Sequence, residues 1–197
     1  MKKIAIIVIL TIVLPIVYLV ITNYNNIPTL DEDVKEKWSQ VQNQYKRRAD
    51  LIPNLVATVK GYAEHEKSTF TEVTEARSKV SQINVNADTL NNPALLQQFS
   101  QAQSSLSSAL SKLMVVVEKY PDLKANKNFL ALQSQLEGTE NRITVARKDF
   151  IASVKKYNLE LRTMPGSLVA AIAHPSAEIR ETFKASQSEQ EAPKIKF

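Results

Sequence analysis

Four charged residues stand where a buried helical stripe calls for apolar ones. Arg48 lies between Tyr45 and Ile52, Arg77 lies between Val73 and Val80, and Glu140 and Arg147 flank Ile143 on either side. Charges carried on a buried face need partners. The chemistry this pattern suggests is ion pairing between helices: Glu140 with Arg48 or Arg47, assisted by Asn54 and Asn141. Such pairs can set helix register. The alternatives are a solvated stripe edge, with these groups facing water, or a ligand site.

His65, flanked by Glu64 and Glu66, is the other candidate for chemistry. Three successive residues on a helix point in different directions and do not converge on a metal. A zincin pattern would need histidine where Thr69 stands, and neither His65 nor His174 follows a glutamate by three residues, as a carboxylate-bridged di-metal bundle requires. A surface histidine is the expectation. The absence of cysteine excludes disulfides, thiol catalysis, cysteine metal sites and a lipoprotein anchor. With three glycines there is no phosphate-binding loop, dinucleotide fingerprint or nucleophile elbow. No catalytic residue, metal site or cofactor is expected.

The elements that position these groups read as helices. RRADLIPNLVATVKGYAEHEKSTFTEVTEAR, residues 47–77, has apolar side chains at gaps of three and four: Ile52, Leu55, Val56, Val59, Tyr62, Ala63, Phe70 and Val73. The spacing predicts one helix from Thr29, its cap, to about Val80, with a kink or restart at Pro53, which lacks an amide. Residues 81–92 read as a loop, and Asn92–Pro93 as the cap and first residue of a second helix ending before Pro121. A third covers about 125–163, and residues 167–173 add a short fourth. Such amphipathic helices on short loops predict an all-α, antiparallel up-and-down bundle of three long helices and a short fourth, of the four-helix type.

Residues 4–22 carry no charge and span roughly 28 Å as a helix, about the hydrocarbon thickness. They are longer than the core of a signal peptide and end without small residues at a cleavage position, so a retained transmembrane anchor is expected. Lys2 and Lys3 precede the run and Asp31, Glu32 and Asp33 follow it, which places the N-terminus in the cytoplasm and the domain outside. The expected organisation is residues 1–22 as cytoplasmic residues and anchor, 23–28 as linker, 29–173 as the bundle and 174–197 as a polar tail. Net charge is +5, but acids and bases alternate along the helices, which argues against nucleic acid. In the tail, Lys194, Ile195, Lys196 and Phe197 alternate in a way that suits docking on a partner; the alternative is a disordered terminus.

Ordered motifs carry a resemblance. RRADLIPNLV and VKGYAEHE in residues 47–66, ALSKLMVVVEKYPDLKAN at 109–126, NFLALQSQLEGTENRITVARKDF at 128–150, Tyr157–Asn158 and the closing APKIKF are similar to the LemA family of bacterial membrane proteins. The region from Ser167 to Phe183 departs from that pattern. The resemblance implies a single N-terminal membrane helix, a small helical bundle of the four-helix type and no established catalytic residues. The expected function is a non-enzymatic, single-pass scaffold or adaptor of the bacterial cell envelope, binding protein partners, copies of itself included. The alternative is a sensory accessory relaying an extracytoplasmic state to a membrane partner.

Overall fold

Helix-forming residues dominate the chain, and the computed structural model places them in six helices among the described residues. These are α1 (Lys2–Lys60), α2 (Lys67–Gln82), α3 (Pro93–Val117), α4 (Pro121–Lys124), α5 (Lys127–Arg162) and α6 (Gly166–Ala173). The structure describes residues 2–86 and 90–183, without the side chains of residues 2–10 and 16. The tail residues Lys194, Ile195, Lys196 and Phe197 lie outside that set. Among the described residues no helix is long and apolar enough to cross a membrane. The first part of the uncharged run 4–22 falls on side chains outside the described set.

The chain forms two units, Met1–Gln42 with Val145–Arg180, and Asn43–Thr144 with Glu181–Phe197. In the second, Ile52, Leu55 and Val59 of α1, Phe70 and Val73 of α2, Leu106 and Leu113 of α3, and Phe129 and Leu136 of α5 share one core. The contacts along α1 give the helix directions. Tyr45 stacks edge-on against Phe99 and Arg48 meets Ser107, so α3 runs with α1. Arg48 meets Glu140 while Tyr62 meets Asn126, so α5 runs against it. α2 returns from the turn at 61–66 to place Arg77 on Ala49.

That arrangement corrects the expected first helix. The stretch 47–77 is two helices, not one, and α2 rather than residues 167–173 is the extra bundle member. The stripe has no apolar rung at Glu66 or Lys67, and Gly61 adds the cost of a flexible residue, about 1 kcal/mol in a helix interior. The helix ends there in turns closed by Ala63 N to Val59 O at 3.0 Å and Glu66 N to Ala63 O at 3.1 Å. His65 therefore sits on an exposed turn, not on a helix. Of the kink or restart expected at Pro53, the restart does not occur: α1 continues through it to Lys60. Nor is there a linker at 23–28, which is helical, and Thr29 is not a cap but bonds back to Asn25 O at 2.8 Å. Asn92 does cap α3, accepting from Ala94 N and Leu95 N, with Pro93 first in the helix.

In the first unit α1 and α5 run in opposite directions. Trp38 packs on Phe150 with ring centroids 5.2 Å apart, and Val34, Val41, Val154 and Tyr157 complete the buried seam. α6 lays Val169 and Ala170 against this unit. The turn into α6 is close: a Cβ on Gly166 would meet the Glu160 carbonyl oxygen inside contact distance and its Oε1 at 2.7 Å.

Candidate functional site

Arg48 sits on the buried stripe of α1 with 2% of its surface exposed, and three side chains and one backbone carbonyl accept hydrogen bonds from its guanidinium. Nη1 donates to Glu140 Oε1 at 2.7 Å and to Ser107 Oγ at 3.0 Å. Nη2 donates to the side-chain oxygen of Gln103 and, at 3.4 Å, to its carbonyl. The Tyr45 ring lies 5.2 Å from the guanidinium carbon, so the cation also meets a π-face. Ser107 Oγ in turn donates to Gln103 O at 3.1 Å, tying the acceptors to α3. Arg48 Nε and Gln103 Nε2 are buried without a partner. The planar, permanently charged fork of arginine suits this role, bridging α1 to α3 and α5 at once.

The structure thus brings Arg48 and Glu140 together. It leaves Arg47, Asn54 and Asn141 exposed and outside the network, because each lies one step round the helix from the stripe. Arg147 is half-buried in the first unit. Arg77 is half-buried and bonds a backbone carbonyl rather than a carboxylate. Gln103 and Ser107 were not legible as members; the available signal was that Gln103, four residues after Phe99, occupies a stripe position on α3 just as Arg48 does on α1.

Beside Glu140 a groove of about 390 Å³ runs between α3 and α5, floored by Leu110, Met114 and Leu136 and rimmed by Glu137 and Glu140. It offers apolar area and acceptors. Among the described residues no three His, Asp or Glu side chains converge as a metal site.

The first unit holds a second polar cluster that the sequence did not announce. Arg180 donates from Nη2 to Asp31 Oδ1 at 2.7 Å and from Nε at 3.2 Å, and its guanidinium lies 5.8 Å from the Tyr157 ring centroid. Asn158 clamps the Arg180 backbone from both sides, donating to its carbonyl and accepting from its amide, each at 2.9 Å. Burial works against ionising Asp31, but the hydrogen bonds and charges of Arg180 and Lys35 outweigh it and hold the carboxyl below its ordinary 3.8. Burial, with the charge of Asp31, pushes the Tyr157 phenol up. Nearby, His174 Nε2 lies 3.0 Å from Tyr24 O; a carbonyl only accepts, so Nε2 carries the proton.

Comparison with known proteins places these features. The LemA family model matches residues 37–197, which include every helix of the second unit. Magnetosome protein MamQ 2 of Paramagnetospirillum magneticum is 27% identical over 188 residues, covering 86% of this chain and 65% of its own length. Magnetosome protein MamQ of Magnetospirillum gryphiswaldense is 26% identical over 167 residues, 76% of this chain and 61% of its own. Protein LemA of Metamycoplasma hominis is 26% identical over 138 residues, 70% of this chain and 59% of its own. The chain therefore spans less than two thirds of the length of these curated relatives. The family match extends over residues 37–197, well over half of the chain, and the chain belongs to the LemA family.

Proposed function

We propose that this LemA-family chain is a non-enzymatic scaffold or adaptor of the bacterial cell envelope. A single pass formed by residues 4–22 anchors it in the cytoplasmic membrane, with the N-terminus inside and the helical domain outside. The observation that carries the reading is the charge-free head of α1: no acid or base occurs from residue 4 to residue 30 of a helix whose far end supplies Ile52, Leu55 and Val59 to a packed core. Ile12, Leu14, Leu19 and Ile21 are about half exposed or more, side chains that water does not favour and lipid does. The Arg48 network supports a fixed platform, since one guanidinium ties α1 to both α3 and α5. Protein partners, copies of the chain included, would meet the helix faces; the groove at Leu110, Met114 and Leu136 and the tail residues Lys194 to Phe197 are the proposed places.

The cysteine-free sequence makes the test direct. A Ser81→Cys variant, exposed at the end of α2, is treated in intact cells with a membrane-impermeant maleimide, and the membranes are then extracted with alkaline carbonate. Retention in the membrane pellet with labelling of intact cells is the expected result. Release by carbonate removes the anchor; labelling only after lysis reverses the orientation. Crosslinking that retrieves the same partners whatever the stimulus favours a scaffold over a sensor.

A further inference from the structure

The exposed face of α6 has no role in the bundle. Leu168 and Ile172, one helical turn apart, are 53% and 76% exposed, and Met164 in the turn before them is 73% exposed. An apolar face of this kind has a use only if something covers it. Three observations say what. Residues 163–177 contain no Asp, Glu, Lys or Arg, so the whole segment around α6 is charge-free, as residues 4–30 of α1 are. The two charge-free segments are joined at one level, where His174 Nε2 bonds Tyr24 O at 3.0 Å and the two rings lie 4.7 Å apart. Tyr24 is two residues past the end of the apolar run 4–22, a rise of about 3 Å. Moving away from that level, charge returns with Asp31 on α1 and with Glu178 and Arg180 beyond α6, and Arg180 pairs with Asp31 at 2.7 Å.

We propose that α6 is a lipid-interface helix, lying beside the anchor with Leu168 and Ile172 in the boundary region of the bilayer. The inference rests on the reading of residues 4–22 as an anchor. The boundary is then marked on α1 and on the segment that carries α6, uncharged through the Tyr24–His174 contact and ionised again at the Asp31–Arg180 pair, while on α5 the charges Glu160 and Arg162 stop just before α6. Tyrosine at that level is the residue type that membrane interfaces favour. A short helix with an apolar outer face and no charge to desolvate inserts at the headgroup boundary, and the adjacent anchor keeps it there without affinity of its own.

The test uses the full chain in vesicles of phosphatidylethanolamine and phosphatidylglycerol. Ile12→Cys, Ile172→Cys and Ser105→Cys variants carry a nitroxide, and power saturation compares collisions with oxygen and with a water-soluble nickel chelate. The expected result is oxygen-favoured collision at residues 12 and 172 and nickel-favoured collision at 105. Nickel-favoured collision at 172 with oxygen at 12 overturns the interface helix and leaves the anchor standing. Nickel-favoured collision at 12 overturns the anchor itself. Protection of 172 from both reagents shows a protein cover, a second copy or a partner, and overturns the lipid assignment.

Discussion

Arg77 Nε donates to Ala49 O at 2.9 Å, and Ala49 O is the carbonyl that Pro53, four residues on, leaves without its helical donor. A proline inside a helix removes one hydrogen bond and crowds the carbonyl behind it. Here a side chain from α2 supplies the missing donor, so α1 continues through Pro53 instead of restarting. Arg77→Ala should cost about 1–2 kcal/mol in urea unfolding. On a Pro53→Ala background, which restores the amide, the same substitution should cost markedly less. Equal costs in the two backgrounds would show that Arg77 acts through something other than this carbonyl.

The same relationship recurs at Pro28. Pro28 leaves Tyr24 O without a donor, and His174 Nε2 takes the place at 3.0 Å. His174→Ala should lower Tm, and by less on a Pro28→Ala background, where only the ring contact with Tyr24 is lost. Hydrogen exchange at residues 166–173 reads the same contact locally, and should speed up most in the single His174 variant.

Glu140→Ala leaves a nearly fully buried guanidinium with neutral acceptors only. Glu140 is itself 48% exposed, so water screens part of the pair, and the expected loss is about 2–3 kcal/mol rather than the full range for a buried pair. Arg48→Met should cost less than Glu140→Ala, because it removes the buried charge and leaves Glu140, 48% exposed, to be solvated by water. Chemical denaturation of both variants gives the order, and the reverse order would mean that the network contributes little beyond packing.

Asp31 makes stability depend on pH. Its folded-state pKa is lowered, so its contribution is fully present above the unfolded value, near 3.9, and is lost as pH falls through the folded one. The Tm of wild type should exceed that of Asp31→Asn at neutral pH, and the gap should close below about pH 4. A gap that persists in acid would point to geometry rather than charge.

Gly166→Ala places a methyl group against the Glu160 carbonyl, a backbone atom that cannot swing aside. A loss of about 1–3 kcal/mol is expected, as for overpacking elsewhere. Thermal unfolding checks it, with Gly138→Ala as the control, because the nearest atoms there belong to the flexible Arg142 side chain at 3.7 Å.

Periodicity made the helices legible, and stripe charges made Arg48 and Glu140 legible, because a buried charge violates the pattern that surrounds it. The break at 61–66 was harder to see. A missing rung at Glu66 and Lys67 is a smaller signal than a proline, although tertiary packing overrode the proline and not the gap. Gln103 and Ser107 were hidden among the polar residues of α3, where one face of serines and glutamines looks like another. The Asp31–Arg180 and Tyr24–His174 contacts join residues 149 and 150 positions apart, a distance at which no local spacing rule operates.

Those separations also order events during synthesis. Ala49 O waits for a donor only 28 residues downstream, so α1 and α2 can complete each other soon after both leave the ribosome. Tyr24 O waits for one 150 residues away. The stretch of α1 around Pro28 therefore keeps that carbonyl hydrated, or bonded elsewhere, until His174 has been made. This carbonyl can meet its donor only after every helix from α1 to α6 has been made.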